Sequence, residues 1–186
     1  MTRRLPLIPT ILVLAAAATM VALGVWQLGR AQEKADLIAR YSDASAIGDS
    51  VAFPLEGEGE DAWFRRSSLT CAPSPIVEPV SGTAWNGAKG WAMRAGCVTE
   101  AGAKVPVDLG FSQDLAPPQW QGGTVSGIVA PGPRLVADPP VADLQPLAKP
   151  DPADLPNNHL AYAGQWFFFA LTALVIYALA LRRRRG

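Results

Sequence analysis

A chain of 186 residues with 16 basic and 16 acidic side chains is formally neutral, and 49% of it is hydrophobic. Two cysteines and one histidine are too few for a structural zinc site, and no G-x-S-x-G elbow, phosphate-cradling glycine loop or H-E-x-x-H helix occurs, so the composition argues against an enzyme. The neutral total conceals a segregation: every acid lies between Glu33 and Asp154, whereas Arg3, Arg4 and Arg30 flank one apolar run and Arg182 to Arg185 follow another.

Those two runs are the first predicted elements. Neither Leu5 to Gly29 nor Leu155 to Leu181 contains a Lys, Arg, Asp or Glu. At about 1.5 Å per residue, each makes a helix longer than the roughly 30 Å hydrocarbon core. We therefore expect transmembrane helices over 7–29 and 157–181. Basic residues are retained on the cytoplasmic side, which places 1–6 and 182–186 there and 30–156 across the membrane. A cleaved secretion signal is the competing reading, since Arg3, Arg4 and the small run Ala15 to Ala18 fit its grammar. The apolar run continues through Met20, Leu23 and Leu28, which favours an uncleaved anchor. No Arg- and Ser-rich transit segment precedes it, which favours a bacterial plasma (inner) membrane with a periplasmic middle. The terminal arginines read as a stop-transfer anchor and not as a nucleic-acid patch.

Beyond the first span, Arg30 to Tyr41 has good helix formers, with Ala31, Ala35 and Ile38 at helical spacing, and should extend the helix outward. Residues 42–61 are acidic and contain Gly57 and Gly59, a surface loop. Short segments of β character follow at 64–71, 91–98, 104–111 and 124–130, with weaker ones at 76–80 and 134–137 where prolines intrude. Asn86-Gly87 and Thr99 to Gly102 are turn signals. The expected assembly is an antiparallel β domain, a sheet or partly closed barrel, between two transmembrane helices. Cys71 and Cys97 both fall in this domain, where an oxidising compartment permits a disulfide; two buried free thiols are the alternative. Eight prolines between Pro131 and Pro156 mark a connector back to the membrane.

A chemically suggestive cluster sits where both spans meet the far side. Gly24-Val25-Trp26-Gln27-Leu28-Gly29-Arg30 leaves the first span, and Pro156-Asn157-Asn158-His159-Leu160-Ala161-Tyr162 through Gln165-Trp166 enters the second. His159, Tyr162 and Trp166 are three and four residues apart, one helical stripe, which Trp26, Gln27 and Arg30 could face. Trp26, Tyr162 and Trp166 fit an ordinary aromatic belt and Arg30 a snorkelling anchor. The sharper reading takes His159 as an axial haem ligand and Arg30 as a propionate partner.

The residues resemble the surfeit locus protein 1 family. Gly24-x-Trp26-Gln27-x-x-Arg30 with Lys34 is similar to its motif at the first span. Phe64-Arg65-Arg66 and Val107-Asp108-Leu109-Gly110-Phe111 are similar to its strand motifs, although many members have Asp-Arg-Gly-Trp where this chain has Asp108-Leu109-Gly110-Phe111. Asn157-Asn158-His159-Leu160-x-Tyr162-x-x-Gln165-Trp166-Phe167 is similar to the motif opening the last span. The resemblance implies a non-catalytic chaperone of cytochrome c oxidase assembly in the respiratory chain. It would bind haem a transiently and pass it to the oxidase catalytic subunit, with haem a synthase as a further candidate partner. His159 matches the family's haem-binding histidine, with Tyr162 and Trp26 as pocket walls. Two other hypotheses share the topology: a docking protein for oxidase assembly without its own cofactor, and an envelope sensor or secretion component.

Overall fold

The computed structural model describes residues 6–72 and 75–185. Arg3 and Arg4, expected to flank the first span, lie outside the described residues, as do the side chains of Arg184 and Arg185. The first apolar run becomes α1, Leu7–Ala46, and the second becomes α2, His159–Arg185. Pro9 is tolerated in the first turn of α1, where its missing N–H has no partner to lose. No proline or glycine pair interrupts the helix afterwards, and its 40 residues run unbroken past Arg30 to Ala46. Both helices are long and apolar enough to cross a membrane. Large apolar side chains such as Leu12, Val25, Leu160, Phe168 and Ile176 point outward from them. In water such a surface would be unfavourable, and these features support a two-pass membrane protein.

The chain divides into two compact units, one of residues 1–37 with 156–186 and one of Ile38–Leu155. Within the first, α1 and α2 pack antiparallel along a seam of small residues. Ala17, Gly24 and Ala31 recur every seven positions on α1, Ala163 and Ala170 are seven apart on α2, and all five are buried. A seven-residue repeat keeps one stripe facing the partner, and small side chains let two backbones approach where lipid offers no hydrophobic drive to association. The fit is closest at Gly24, where an added Cβ would lie 2.5 Å from the Phe167 ring. Near the opposite end of the pair the Thr10 and Tyr177 hydroxyls hydrogen-bond to each other.

The second unit is a seven-stranded sheet of β1 Ser50–Ala52, β2 Arg66–Cys71, β3 Val77–Thr83, β4 Lys89–Val98, β5 Lys104–Ser112, β6 Gly123–Ala130 and β7 Arg134–Ala137, in the order β1-β2-β6-β7-β5-β4-β3. The sheet is mixed and not antiparallel as expected: β1 pairs parallel with β2, and β5 with β7. The reason is one of placement. The β6–β7 hairpin folds back so that the short β7 enters the slot beside β5, running the same way as β5 while β6 takes the next place out. At the other end, more than ten residues separate β1 from β2, a connection long enough to return the chain for parallel pairing.

Two turn signals act as their chemistry suggests. Gly87, at φ +87°, closes β3 onto β4 with an Ala84 N–H to Ala88 O bond of 2.9 Å. Gly102, at φ +77°, donates to Thr99 O at 2.9 Å between β4 and β5. Pro79 stands in β3, the edge strand, where the missing donor costs no ladder bond on the open side.

The sheet curls until its non-neighbouring strands meet. Ala72 N–H, just past β2, donates to Val98 O at 2.8 Å, and Cys71 is joined to Cys97 of β4 by a disulfide. Inside lies a core of Leu69, Val105, Val107, Leu109, Val125, Val129 and Leu135, with both cysteines among them. β5 is covered on both faces, so even Asp108 is buried. Its carboxylate accepts from Arg94 Nε at 2.6 Å and Nη2 at 3.1 Å and from Arg134 Nε at 3.1 Å. One buried anion is thus held by two half-exposed guanidiniums, and the Asp108 hydrogen bond raises the Arg94 pKa further.

Phe64, ahead of β2, is buried at φ +63°, a conformation rare for a bulky side chain. Its N–H donates to Val129 O at 2.7 Å while Val129 N–H donates to Arg65 O at 3.0 Å, so it is locked to β6. Its ring and that of Trp63 lie 5.3 and 5.9 Å from the ring of Tyr41. The last turns of α1, from Ile38, are thereby anchored to the sheet. Burial lifts the Tyr41 phenol above its ordinary value, and Glu60 adds to the rise.

Candidate functional site

The start of α2 is set by its own sequence. Pro156 keeps the preceding backbone extended, Asn158 O accepts the first helical hydrogen bond from Tyr162 N–H at 3.2 Å, and His159 opens the helix. Two side chains on this turn reach α1. Asn157 Nδ2 donates to Ala31 O at 3.1 Å, and His159 Nδ1 lies 2.7 Å from Gln27 Oε1. Gln27 and Ala31 are four residues apart, one turn of α1. The entry to α2, Asn157 to His159, is therefore pinned at two points, and the imidazole is half-buried with one nitrogen engaged. Among the described residues His159 Nε2 has no hydrogen-bond partner. Asn157 Oδ1 is buried without a partner as well.

Of the six residues anticipated for this site, the structure brings together Gln27 and His159. Trp26 and Tyr162 are 57% and 49% exposed and project from the outside of the helix pair. Arg30 turns along its own helix to Glu33, three residues on, in an exposed ion pair. Trp166 is half-buried and meets Phe169 edge-on, with ring centroids 6.4 Å apart. The seam next to the site is closed, since at Gly24 it does not admit a methyl group. The surface beside His159 that is left open is the flank of the pair, where the indole of Trp26 and the phenol of Tyr162 are uncovered. An imidazole with one nitrogen hydrogen-bonded and the other without a partner among the described residues is a donor set that haem iron would accept, so the residues fit that group. No group of three or more His, Cys, Asp or Glu able to hold a bare metal ion occurs among the described residues.

The model of one protein family, described as the SURF1 family, matches residues 14–171. The chain belongs to the SURF1 family. That match takes in most of α1, about the first half of α2 and all seven strands, with Gln27, Ala31, Asn157 and His159 inside it. SURF1 proteins are known as assembly factors of cytochrome oxidase, a role consistent with a non-enzyme. A search of curated proteins finds no match.

Gly24, Ala31, Asn157 and Phe167 shape this SURF1 site, yet reasoning from residue types gave them no role. A signal for the seam was present. Small residues at positions 17, 24 and 31 mark the α1 stripe, and positions 163 and 170 mark that of α2. Extended along each helix, those stripes bring Gln27 and His159 onto the facing side and turn Trp26 and Tyr162 away. Asn157 carried no comparable signal, because its partner is a backbone carbonyl.

Proposed function

We propose that this SURF1 protein is a non-catalytic chaperone that receives haem a as cargo through His159 and delivers it to the catalytic subunit of cytochrome c oxidase. The observation that carries the reading is the sole imidazole of the chain, tied at Nδ1 and open at Nε2, at one end of the helix pair. If haem is bound, His159 Nε2 would be the atom that holds its iron. The remaining work falls to the chain: Gln27 and Asn157 orient the ring, and the exposed faces of Trp26 and Tyr162 offer apolar surface to a macrocycle. Arg30 is available to a propionate once it leaves Glu33, an exposed pair worth little. A surface position suits a carrier, because cargo that is not enclosed leaves without unfolding the helix pair. The setting we propose is a bacterial plasma membrane with both termini cytoplasmic and Ile38–Leu155 periplasmic, and haem a synthase is the partner we propose on the supply side.

The test is a visible spectrum of the protein purified from cells that make haem a. The unsubstituted chain should show a Soret band, and His159→Ala should lose most of it. Equal haem content in the two would discard the ligand assignment. The same outward display of Trp26 and Tyr162 favours a second reading, in which the rings dock on a partner's helices and no cargo is held. Under that reading the oxidase subunit co-purifies with a chain that has no Soret band even when haem a is abundant.

A further inference from the structure

We infer that Gln27 is a positioning residue that fixes His159 in the Nδ1–H tautomer, and so keeps Nε2 as the bare nitrogen that an iron can take. The tautomer stands on the geometry alone, and only the consequence for iron rests on the proposed function.

A neutral imidazole carries one ring proton, and the hydrogen bond made by one nitrogen decides the state of the other. Gln27 Oε1 is 2.7 Å from His159 Nδ1, and a carbonyl oxygen can only accept, so the proton lies on Nδ1. The reverse orientation of the amide would donate to Nδ1 and move the ring proton to Nε2. The amide orientation in the structure, with Oε1 toward the ring, is the one that leaves Nε2 unprotonated. Neighbouring groups hold the contact in place. Gln27 lies on the packed face of α1, between buried Gly24 and Ala31, and the Asn157 bond to Ala31 O holds the residues just ahead of His159. The ring thus has one nitrogen tied to α1 and the other without a hydrogen-bond partner among the described residues. Oriented histidine ligands elsewhere owe their ligating nitrogen to the same kind of partner, and its removal commonly weakens metal binding by roughly 10- to 100-fold.

The chain has a single histidine, so labelling with ¹⁵N-histidine gives one pair of ring resonances. The measurement is made on the full chain in detergent, without haem, at a pH well above the ordinary histidine range of about 6.5. Protonated Nδ1 and bare Nε2 are expected in the unsubstituted protein. Gln27→Leu should populate the Nε2–H form, and Gln27→Glu, which retains an acceptor at this position, should restore Nδ1–H. With haem added, Gln27→Leu should bind at least about tenfold more weakly, with Gln27→Glu close to the unsubstituted protein. A proton on Nε2 in the unsubstituted chain, or an unchanged tautomer in Gln27→Leu, overturns the inference. The first of these is decided without any variant, so a Gln27→Leu protein that fails to fold does not shelter the proposal. If His159→Ala takes up haem as well as the unsubstituted chain, the ligand reading fails and with it the consequence for iron, while the tautomer is still judged by the resonances.

Discussion

The helix pair and the sheet unit are held together in opposite ways. The sheet of Ile38–Leu155 turns its large apolar side chains inward, ties β2 to β4 covalently and buries one carboxylate under two guanidiniums. The helix pair turns its large apolar side chains outward and meets along glycine and alanine, with polar contacts at Gln27, Asn157 and Thr10. In water, burial of apolar area supplies most of the drive to fold, whereas between lipid-facing helices close packing and hydrogen bonds remain. A unit built that way leaves its histidine at the margin of the seam, where no core has to be opened to reach it.

The comparison can be broken most forcefully from the sheet side. Loss of the Cys71–Cys97 bond releases a loop with a sequence separation of 26 and should cost the sheet unit about 3 kcal/mol in chemical denaturation followed by β-sheet circular dichroism. The Gln27–His159 contact should be unchanged, and a ¹⁵N-histidine spectrum that moved on reduction would show the two regions to be coupled. Next in size is Gly24→Val, which forces a branched side chain onto the Phe167 ring and should destabilise the helix pair by about 1–3 kcal/mol. Gly29→Ala, five residues on and with nothing within 4 Å of the new methyl, is the matched control and should be neutral or slightly stabilising. Protease susceptibility of the helix pair in detergent distinguishes them.

Asn157→Ala should cost about 1 kcal/mol by removing one hydrogen bond to α1, with the sheet unit unaffected. It should also broaden the His159 ring resonances, since one of two pins at that turn is lost. The smallest effect concerns pH at the root of the sheet unit. The folded state holds the Tyr41 phenol protonated beyond the point, about pH 10, at which the unfolded chain ionises. Stability from this group is therefore complete below that pH and declines as pH rises from there through the higher folded value. Tyr41→Phe should flatten the alkaline limb of a stability–pH curve for the sheet unit, and an unaltered slope would contradict the assignment.

The sequence by itself determined the elements that rest on local pattern. Two long charge-free runs make two apolar helices, and Asn86-Gly87 and Thr99 to Gly102 make hairpins, because length, hydropathy and positive-φ glycine act within a few residues. It also carried the family motifs that contain Gln27 and His159. Tertiary structure alone decided what depends on partners distant in the chain. β7 becomes parallel to β5 because a slot lies open beside that strand, which alternation within Arg134–Ala137 does not encode. The spacing of His159, Tyr162 and Trp166 places them in neighbouring sectors of the helix, but only the small-residue seam fixes which of them meets α1. The seam turns Tyr162 and Trp26 outward and leaves Gln27 with the histidine, since two backbones come closest where side chains are smallest.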